Sequence, residues 1–124
     1  MRAVLVNVYD EYAKEVEIKD ELDEYYELLN CSTIDIVSRK IGRKWFDIVC
    51  DDEGLLKQNP KISAIDNLGS PMLVGNLIIL HNDGEGGMAG LDQKDSKYVL
   101  DRIEKMSTLQ YMDGYPMLTQ CEYC

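Results

Sequence analysis

The chain has 124 residues, 45% of them hydrophobic, and a formal net charge of −10 at pH 7. This length and composition predict a single domain with one hydrophobic core. The negative net charge disfavours nonspecific nucleic-acid binding, because such binding needs a broad cationic surface. The longest nearly apolar run, residues 72–80, is too short to span a bilayer. The first residues lack the cleavage site of a secretory leader, so we expect a cytoplasmic protein with reduced cysteines.

The spacing of apolar residues predicts the first three elements. Residues 2–8 alternate as in a strand, with apolar side chains on both sides, so we expect this strand to lie centrally in a sheet. Residues 15–19 predict a short second strand. Residues 20–30 predict a helix with an inner stripe of Leu22, Tyr25, Tyr26 and Leu29.

A β-hairpin is predicted over residues 33–54, and we expect the remaining chain to pack around it. Apolar residues alternate on both arms, and Gly42 provides the positive φ that the turn requires. Cations flank this turn at Arg39, Lys40, Arg43 and Lys44. The second arm ends in an acidic turn formed by Asp51, Asp52, Glu53 and Gly54.

The second half of the chain predicts one buried strand and one helix. Residues 55–70 predict a covering loop with one short strand, and residues 71–80 predict a buried strand with a bulge or close backbone approach at Gly75. The glycine-rich residues 81–90 predict a mobile connection. The second helix opens at Leu91 and Asp92, with Asp92 as N-cap and an inner stripe of Val99, Ile103 and Met106.

These elements together predict an α+β fold. We expect one domain over residues 1–106, built from a mixed or antiparallel sheet of four to five strands and two helices. Residues 107–124 predict a C-terminal extension or a small hairpin, because a turn signal at residues 112–115 separates two short apolar segments.

Several segments resemble an uncharacterised domain family that is carried by phages, plasmids and other mobile elements of bacteria. They are CSTIDIVSRKIGRKWFDIVCDDEGLLKQNPKISAI, LVGNLIIL and GLDQKDSKYVLDRI, and the resemblance covers about residues 2–106. It is strongest at residues 51–54, at residues 74–77 and at the pair Leu91-Asp92. Small proteins of such elements often disable host defence factors, so the resemblance favours an inhibitor.

The residues that could support catalysis or metal binding do not form a recognisable set. Consecutive carboxylates at residues 51–53 are more typical of a solvated turn than of a site. The pair Cys121 and Cys124 could join Cys31 and Cys50 around zinc, but we expect a core thiol at Cys50 and a frayed terminus for the pair. We therefore expect a protein that is not an enzyme and has no catalytic residues, cofactor or metal.

Carboxylates are concentrated near the first helix, where residues 10–27 contain nine acids and two lysines. A charge run is often a solvated face, but carboxylates at helical spacing can also occupy a basic surface and accelerate association. We predict that this helix binds a host protein with a basic surface, without direct nucleic-acid or membrane contact and with the oligomeric state left open. The predicted binding residues are Asp20, Glu21, Asp23, Glu24 and Glu27.

The alternative is a protein that sequesters a nucleotide or another small-molecule signal. The hairpin cations could hold the phosphate of such a ligand, together with the glycine-rich loop and the only histidine, His81. The residues predicted for this alternative are Arg39, Lys40, Arg43, Lys44 and His81.

Overall fold

A computed structural model describes residues 1–10, 12–53, 62–65, 71–109 and 118–119. The described elements confirm the α+β class, with two helices and a largely antiparallel arrangement of strands. In chain order they are β1 (Arg2–Asn7), β2 (Tyr12–Glu17), α1 (Leu22–Leu29), β3 (Ile34–Ile41), β4 (Lys44–Asp51), β5 (Ile62–Ile65), β6 (Pro71–Val74), β7 (Leu77–Asn82), β8 (Met88–Ala89), α2 (Gln93–Leu109) and β9 (Leu118–Thr119). Most of the predicted covering loop and both Cys121 and Cys124 lie outside the described residues, as does the side chain of Met106.

The main sheet has the strand order β2-β1-β7-β4-β3, and β8 adds to β7 as a sixth strand. All of its pairings are antiparallel. Residues 81–90 were predicted as a mobile connection, but they contain more than a connection, because β7 continues to Asn82 and then pairs with β8. The carboxylate of Asp83 accepts hydrogen bonds from the amides of Glu85 and Gly87, and these bonds order the glycine-rich turn.

The predicted strand over residues 71–80 is in fact two strands that belong to different sheets. β6 pairs with β5 in a small sheet whose third strand is β9, whereas β7 joins the main sheet. The chain changes direction at Gly75, which has a φ of 80°. The side chain of Asn76 then accepts a hydrogen bond of 3.0 Å from the buried amide of Val8, so this break is anchored to the end of β1.

The main sheet is covered on both faces, and this divides the core into two clusters. α2 covers one face, where Val99 and Ile103 pack against residues of β1, β4 and β7. α1 covers part of the other face through Tyr25 and Leu29. Because β1 lies between these layers, residues 3–6 are all buried, as predicted for an internal strand.

The predicted β-hairpin is confirmed as β3 and β4, which pair over their full length around the turn at Gly42. Two details of the first half differ from prediction. β2 begins at Tyr12, three residues before the predicted start, because it pairs with the whole of β1. Leu22 was predicted to face inward but is 56% exposed, and the buried residues of α1 are Tyr25 and Leu29.

Among the described residues, no helix combines the length and apolar character needed to cross a membrane.

Candidate functional site

α1 presents its carboxylates to solvent because its opposite side is held in the core. Tyr25 and Leu29 are 3% and 4% exposed, and they fix the rotation of the helix. Glu21, Asp23 and Glu27 are consequently exposed. These three side chains make no hydrogen bond or ion pair with other residues in the part of the chain that the structure describes.

Asp20 has a structural role at the start of α1. Its Oδ1 accepts a hydrogen bond of 2.8 Å from the Tyr25 hydroxyl, and its Oδ2 accepts one of 3.1 Å from the amide of Met88. Burial, together with the hydrogen bond to Asp20, raises the pKa of Tyr25 far above its ordinary value, so this hydroxyl stays protonated as a donor. Asp20 thus joins the beginning of α1 to β8.

Glu24 is also engaged within the protein. Its Oε2 accepts a hydrogen bond of 3.2 Å from the amide of Lys19, which precedes the helix. Of the five predicted binding residues, therefore, Asp20 and Glu24 help to hold the helix start, while the other three remain available to a partner.

The junction between Asp20 and β8 places a further acid, Asp83, beside the start of α1, and Glu85 lies in the same turn as Asp83. A Cβ atom added at Gly87 would lie 2.6 Å from Asp83 Oδ2 and 3.5 Å from Asp20 Oδ2. The carboxylates of Asp83 and Asp20 therefore lie at the same turn. The amides of Glu85 and Gly87 lower the pKa of Asp83, which keeps this carboxylate ionised. We call the combined set the acidic surface, and it consists of Asp20, Glu21, Asp23, Glu24, Glu27, Asp83 and Glu85.

Sequence reasoning missed Asp83 and Glu85 because their position depends on a contact between segments 68 residues apart. The turn composition of residues 82–87 indicated exposed acids. Nothing in the local pattern indicated that the turn lies against the start of α1.

The cations predicted for the alternative site are separated by the pleat of the hairpin. Arg39 pairs with Phe46 and Lys40 pairs with Trp45, so these two neighbouring cations point to opposite faces of the sheet. Lys44 Nζ lies 2.8 Å from Asp95 Oδ1, and His81 Nε2 lies 2.9 Å from Asp95 Oδ2. The structure brings together only Lys44 and His81 of this set, around a carboxylate of α2.

Asp95 is the residue of this cluster that sequence reasoning did not identify. The hydrogen bond from Lys44, followed by the contact with His81, lowers the pKa of the Asp95 carboxyl. The same bond raises the pKa of Lys44. The carboxylate also lies in the first turn of α2, whose N-cap is Asp92 as predicted, since Asp92 Oδ1 accepts a hydrogen bond of 2.7 Å from the amide of Asp95. The cluster therefore attaches the start of α2 to the hairpin.

The tip of the hairpin is fastened to α2 by one tyrosine. The hydroxyl of Tyr98 donates a hydrogen bond of 2.9 Å to the carbonyl of Ile41 and accepts one of 3.0 Å from the amide of Arg43. Gly42 lies between these residues with a φ of 64°, and a Cβ at this position would lie 2.0 Å from the Tyr98 hydroxyl oxygen. Glycine is therefore required both by the turn and by the close approach of α2.

The remaining candidates have structural surroundings. Asp51 Oδ1 accepts a hydrogen bond of 2.9 Å from the amide of Glu53, as expected for a turn after β4. Cys50 is buried, as predicted, and burial raises the pKa of its thiol to about 11. Within residues 1–10, 12–53, 62–65, 71–109 and 118–119, no group of three or more His, Cys, Asp or Glu side chains is placed to hold a metal ion.

Comparison with known proteins identifies a family for most of the chain. A family model described as a domain of unknown function, DUF3846, matches residues 1–104. No curated protein and no solved structure matches the chain. The predicted resemblance to an uncharacterised domain family is confirmed by this match.

Proposed function

Since the chain belongs to the DUF3846 family, a domain of unknown function, we propose its role from its geometry: it is a non-enzymatic protein whose acidic surface binds a basic surface of another protein. The observation that supports this most directly is the junction at Asp20. Through its bonds to Tyr25 and Met88, Asp20 combines the acids of α1 with those of the β7–β8 turn. Two segments that are distant in sequence thereby present one array of carboxylates.

The acidic surface is suited to binding because it is held in place before a partner arrives. Flexible acidic chains lose conformational entropy on binding, whereas α1 is already anchored by Tyr25 and Leu29. The carboxylates of Glu21, Asp23 and Glu27 also repel one another in the free protein. A partner that supplies cations relieves this repulsion, and the resulting field accelerates association.

The biological setting of the proposal comes from the sequence resemblance over about residues 2–106. On that basis we propose that the protein is an inhibitor from a phage or another mobile element and that its partner is a host defence protein in the cytoplasm. A protein that binds nucleic acid does so through cationic groups, and an array of carboxylates can compete with the phosphate backbone for such a surface. Cys50 is a free thiol in the described part of the chain, which is compatible with a reducing compartment.

A charge-reversal experiment tests the proposal. The test variant carries Glu21→Lys, Asp23→Lys and Glu27→Lys. The matched control carries Asp35→Lys, Asp52→Lys and Glu53→Lys, which change the net charge equally at exposed positions outside the acidic surface. Each protein is immobilised and exposed to host lysate at low and high salt, after circular dichroism has established that it is folded.

We expect the native protein and the control to retain the same basic protein, and to release it as the salt concentration rises. The test variant should not retain it. Equal retention by the test variant would show that the acidic surface is an ordinary solvated face. Equal loss in both variants would show that net charge, rather than this surface, controls the interaction.

A further inference from the structure

Trp45 is the only tryptophan of the chain, and it is 63% exposed. Tryptophan carries a large apolar area that folding normally buries, so its exposure on a paired strand is unusual. Lys40 is the direct cross-strand partner of Trp45, which places both side chains on the same face of the hairpin. Arg43 lies in the turn that joins the two strands.

Two cations near Trp45 in the hairpin, Lys40 and Arg43, are not neutralised. Lys44 is directed to the other face, where it pairs with Asp95 and lies 5.1 Å from the ring centroid of Tyr98. By contrast, the side chains of Lys40 and Arg43 form no hydrogen bond or ion pair with any residue that the structure describes. An unneutralised lysine thus shares a face with an exposed indole, and an unneutralised arginine lies two residues before that indole in the turn, in a protein whose net charge is −10.

The attachment to α2 makes this arrangement rigid. Tyr98 bonds to both sides of the turn and occupies the space beside Gly42, but it approaches from the face opposite Trp45. One face of the hairpin tip is therefore fixed against the helix, and the other is left open. A binding group that is already ordered loses little entropy when a ligand arrives.

We propose that the hairpin tip, defined as Lys40, Arg43 and Trp45, binds a nucleotide unit. The base stacks on the indole of Trp45, and the phosphate is held by the ammonium of Lys40 and the guanidinium of Arg43. Every base has a π-face, so stacking on one exposed ring gives affinity with little base preference. The guanidinium fork of arginine matches two phosphate oxygens, and the lysine adds a point charge.

This chemistry has two possible sources, namely a free nucleotide and single-stranded nucleic acid. An open platform encloses little of its ligand, so a single nucleotide should bind weakly. A strand of several nucleotides gains affinity because each base and phosphate offers the same contacts. The inference is independent of the proposed function, because the hairpin tip and the acidic surface share no residue.

The test uses the whole 124-residue chain, in which tryptophan fluorescence reports on Trp45 alone. The probes are AMP, a deoxythymidine oligonucleotide of about 15 residues, ribose 5-phosphate as a phosphate without a base, and a polyglutamate peptide as an anion without phosphate. We expect quenching by AMP, by the oligonucleotide or by both, and no quenching by the other two. Binding of AMP alone identifies a free nucleotide as the ligand, and preference for the oligonucleotide identifies single-stranded nucleic acid.

Variants establish which residues carry the binding, measured by the anisotropy of a labelled form of whichever probe quenches. Trp45→Ala should weaken binding about 5- to 150-fold, the range found for loss of one stacked base. Lys40→Gln with Arg43→Gln should weaken it about tenfold and reduce its salt dependence. The control, Lys94→Gln with Lys97→Gln, removes two exposed cations of α2 and should bind like the native protein.

Three results would overturn the inference. They are unchanged Trp45 fluorescence at millimolar AMP and with excess oligonucleotide, native affinity in Trp45→Ala, and equal binding of polyglutamate. The last result would identify general attraction between ions. Circular dichroism of each variant establishes folding, which separates loss of the fold from loss of binding; Arg43, Trp45, Lys94 and Lys97 are exposed, and Lys40 is half-buried.

Discussion

Replacement of Gly42 by alanine should destabilise the protein through two separate effects. Gly42 has a φ of 64°, and the left-handed conformation costs an L-residue about 1–2 kcal/mol. The new Cβ would also lie 2.0 Å from the Tyr98 hydroxyl oxygen, so this side chain must move. Its hydrogen bonds with Ile41 and Arg43 would then break, at a cost of about 1 kcal/mol each. The expected loss of unfolding free energy is about 3–4 kcal/mol.

Gly75 offers a matched control for this prediction. It has a φ of 80°, and a Cβ there would have no atom within 4 Å, so Gly75→Ala should cost only the backbone contribution of about 1–2 kcal/mol. The entropy that alanine removes from the unfolded chain is similar at both positions and cancels in the comparison. In a Tyr98→Phe background, the hydroxyl is absent, and Gly42→Ala should then cost little more than Gly75→Ala.

Urea unfolding monitored by circular dichroism gives these free energies directly. The informative quantity is the coupling between Gly42→Ala and Tyr98→Phe in a double-mutant cycle, which we expect to be about 1–2 kcal/mol. If Gly42→Ala and Gly75→Ala cost the same, or if the coupling is near zero, Tyr98 does not hold the hairpin tip. The preorganisation argument for nucleotide binding would then lose its basis.

Three further predictions follow from buried or paired groups. Asp95→Asn should lower the unfolding free energy by about 1 kcal/mol at pH 7. The pKa of Asp95 lies below its ordinary 3.8 in the folded state, so the ionised carboxylate stabilises the fold above pH 3.8 and loses this effect as the pH falls further. The unfolding free energies of native protein and variant should therefore converge in strong acid, and a difference that does not change with pH would contradict the assignment. Asn76→Ala should cost about 1–3 kcal/mol in urea unfolding, since the buried amide of Val8 loses its acceptor, and a smaller cost would show that another group replaces it. Cys50 has a thiol pKa of about 11 and little exposure, so it should resist a thiol reagent in the native protein and react on unfolding. Peptide mapping measures the extent of labelling at Cys50, and rapid labelling of the native protein would disprove the prediction.

Local pattern was sufficient for the elements whose residues contact their sequence neighbours. The alternation of residues 33–54 and the positive φ at Gly42 specify a hairpin, because both arms pair with each other and the turn is adjacent to them. The N-cap at Asp92 was likewise predictable, since its bond to the amide of Asp95 spans three residues. The rotation of α1 followed from helical spacing at Tyr25 and Leu29, which are buried as predicted, whereas Tyr26 is half-buried and Leu22 is exposed.

Pairings between distant segments decided what local pattern left open. Residues 71–80 have the composition of one strand, yet Gly75 and the bond from Val8 to Asn76 divide them between two sheets. The glycine-rich residues 81–90 contain strand structure because β7 gives β8 a partner strand, and Asp83 accepts a hydrogen bond that closes the turn between them. Hydrogen bonds satisfied by a distant partner leave no periodic signal in the segment itself.

The sequence by itself determined that this protein is a small acidic α+β domain with a basic hairpin and an acidic helix, because composition, period and turn chemistry are local properties. Only the tertiary structure decided which charges act together. It joined the turn at Asp83 to α1, separated Arg39 from Lys40, paired Lys44 with Asp95, and left Trp45 open beside Lys40. These outcomes depend on which strands become neighbours, and that choice minimises the free energy of the whole chain rather than of any one segment.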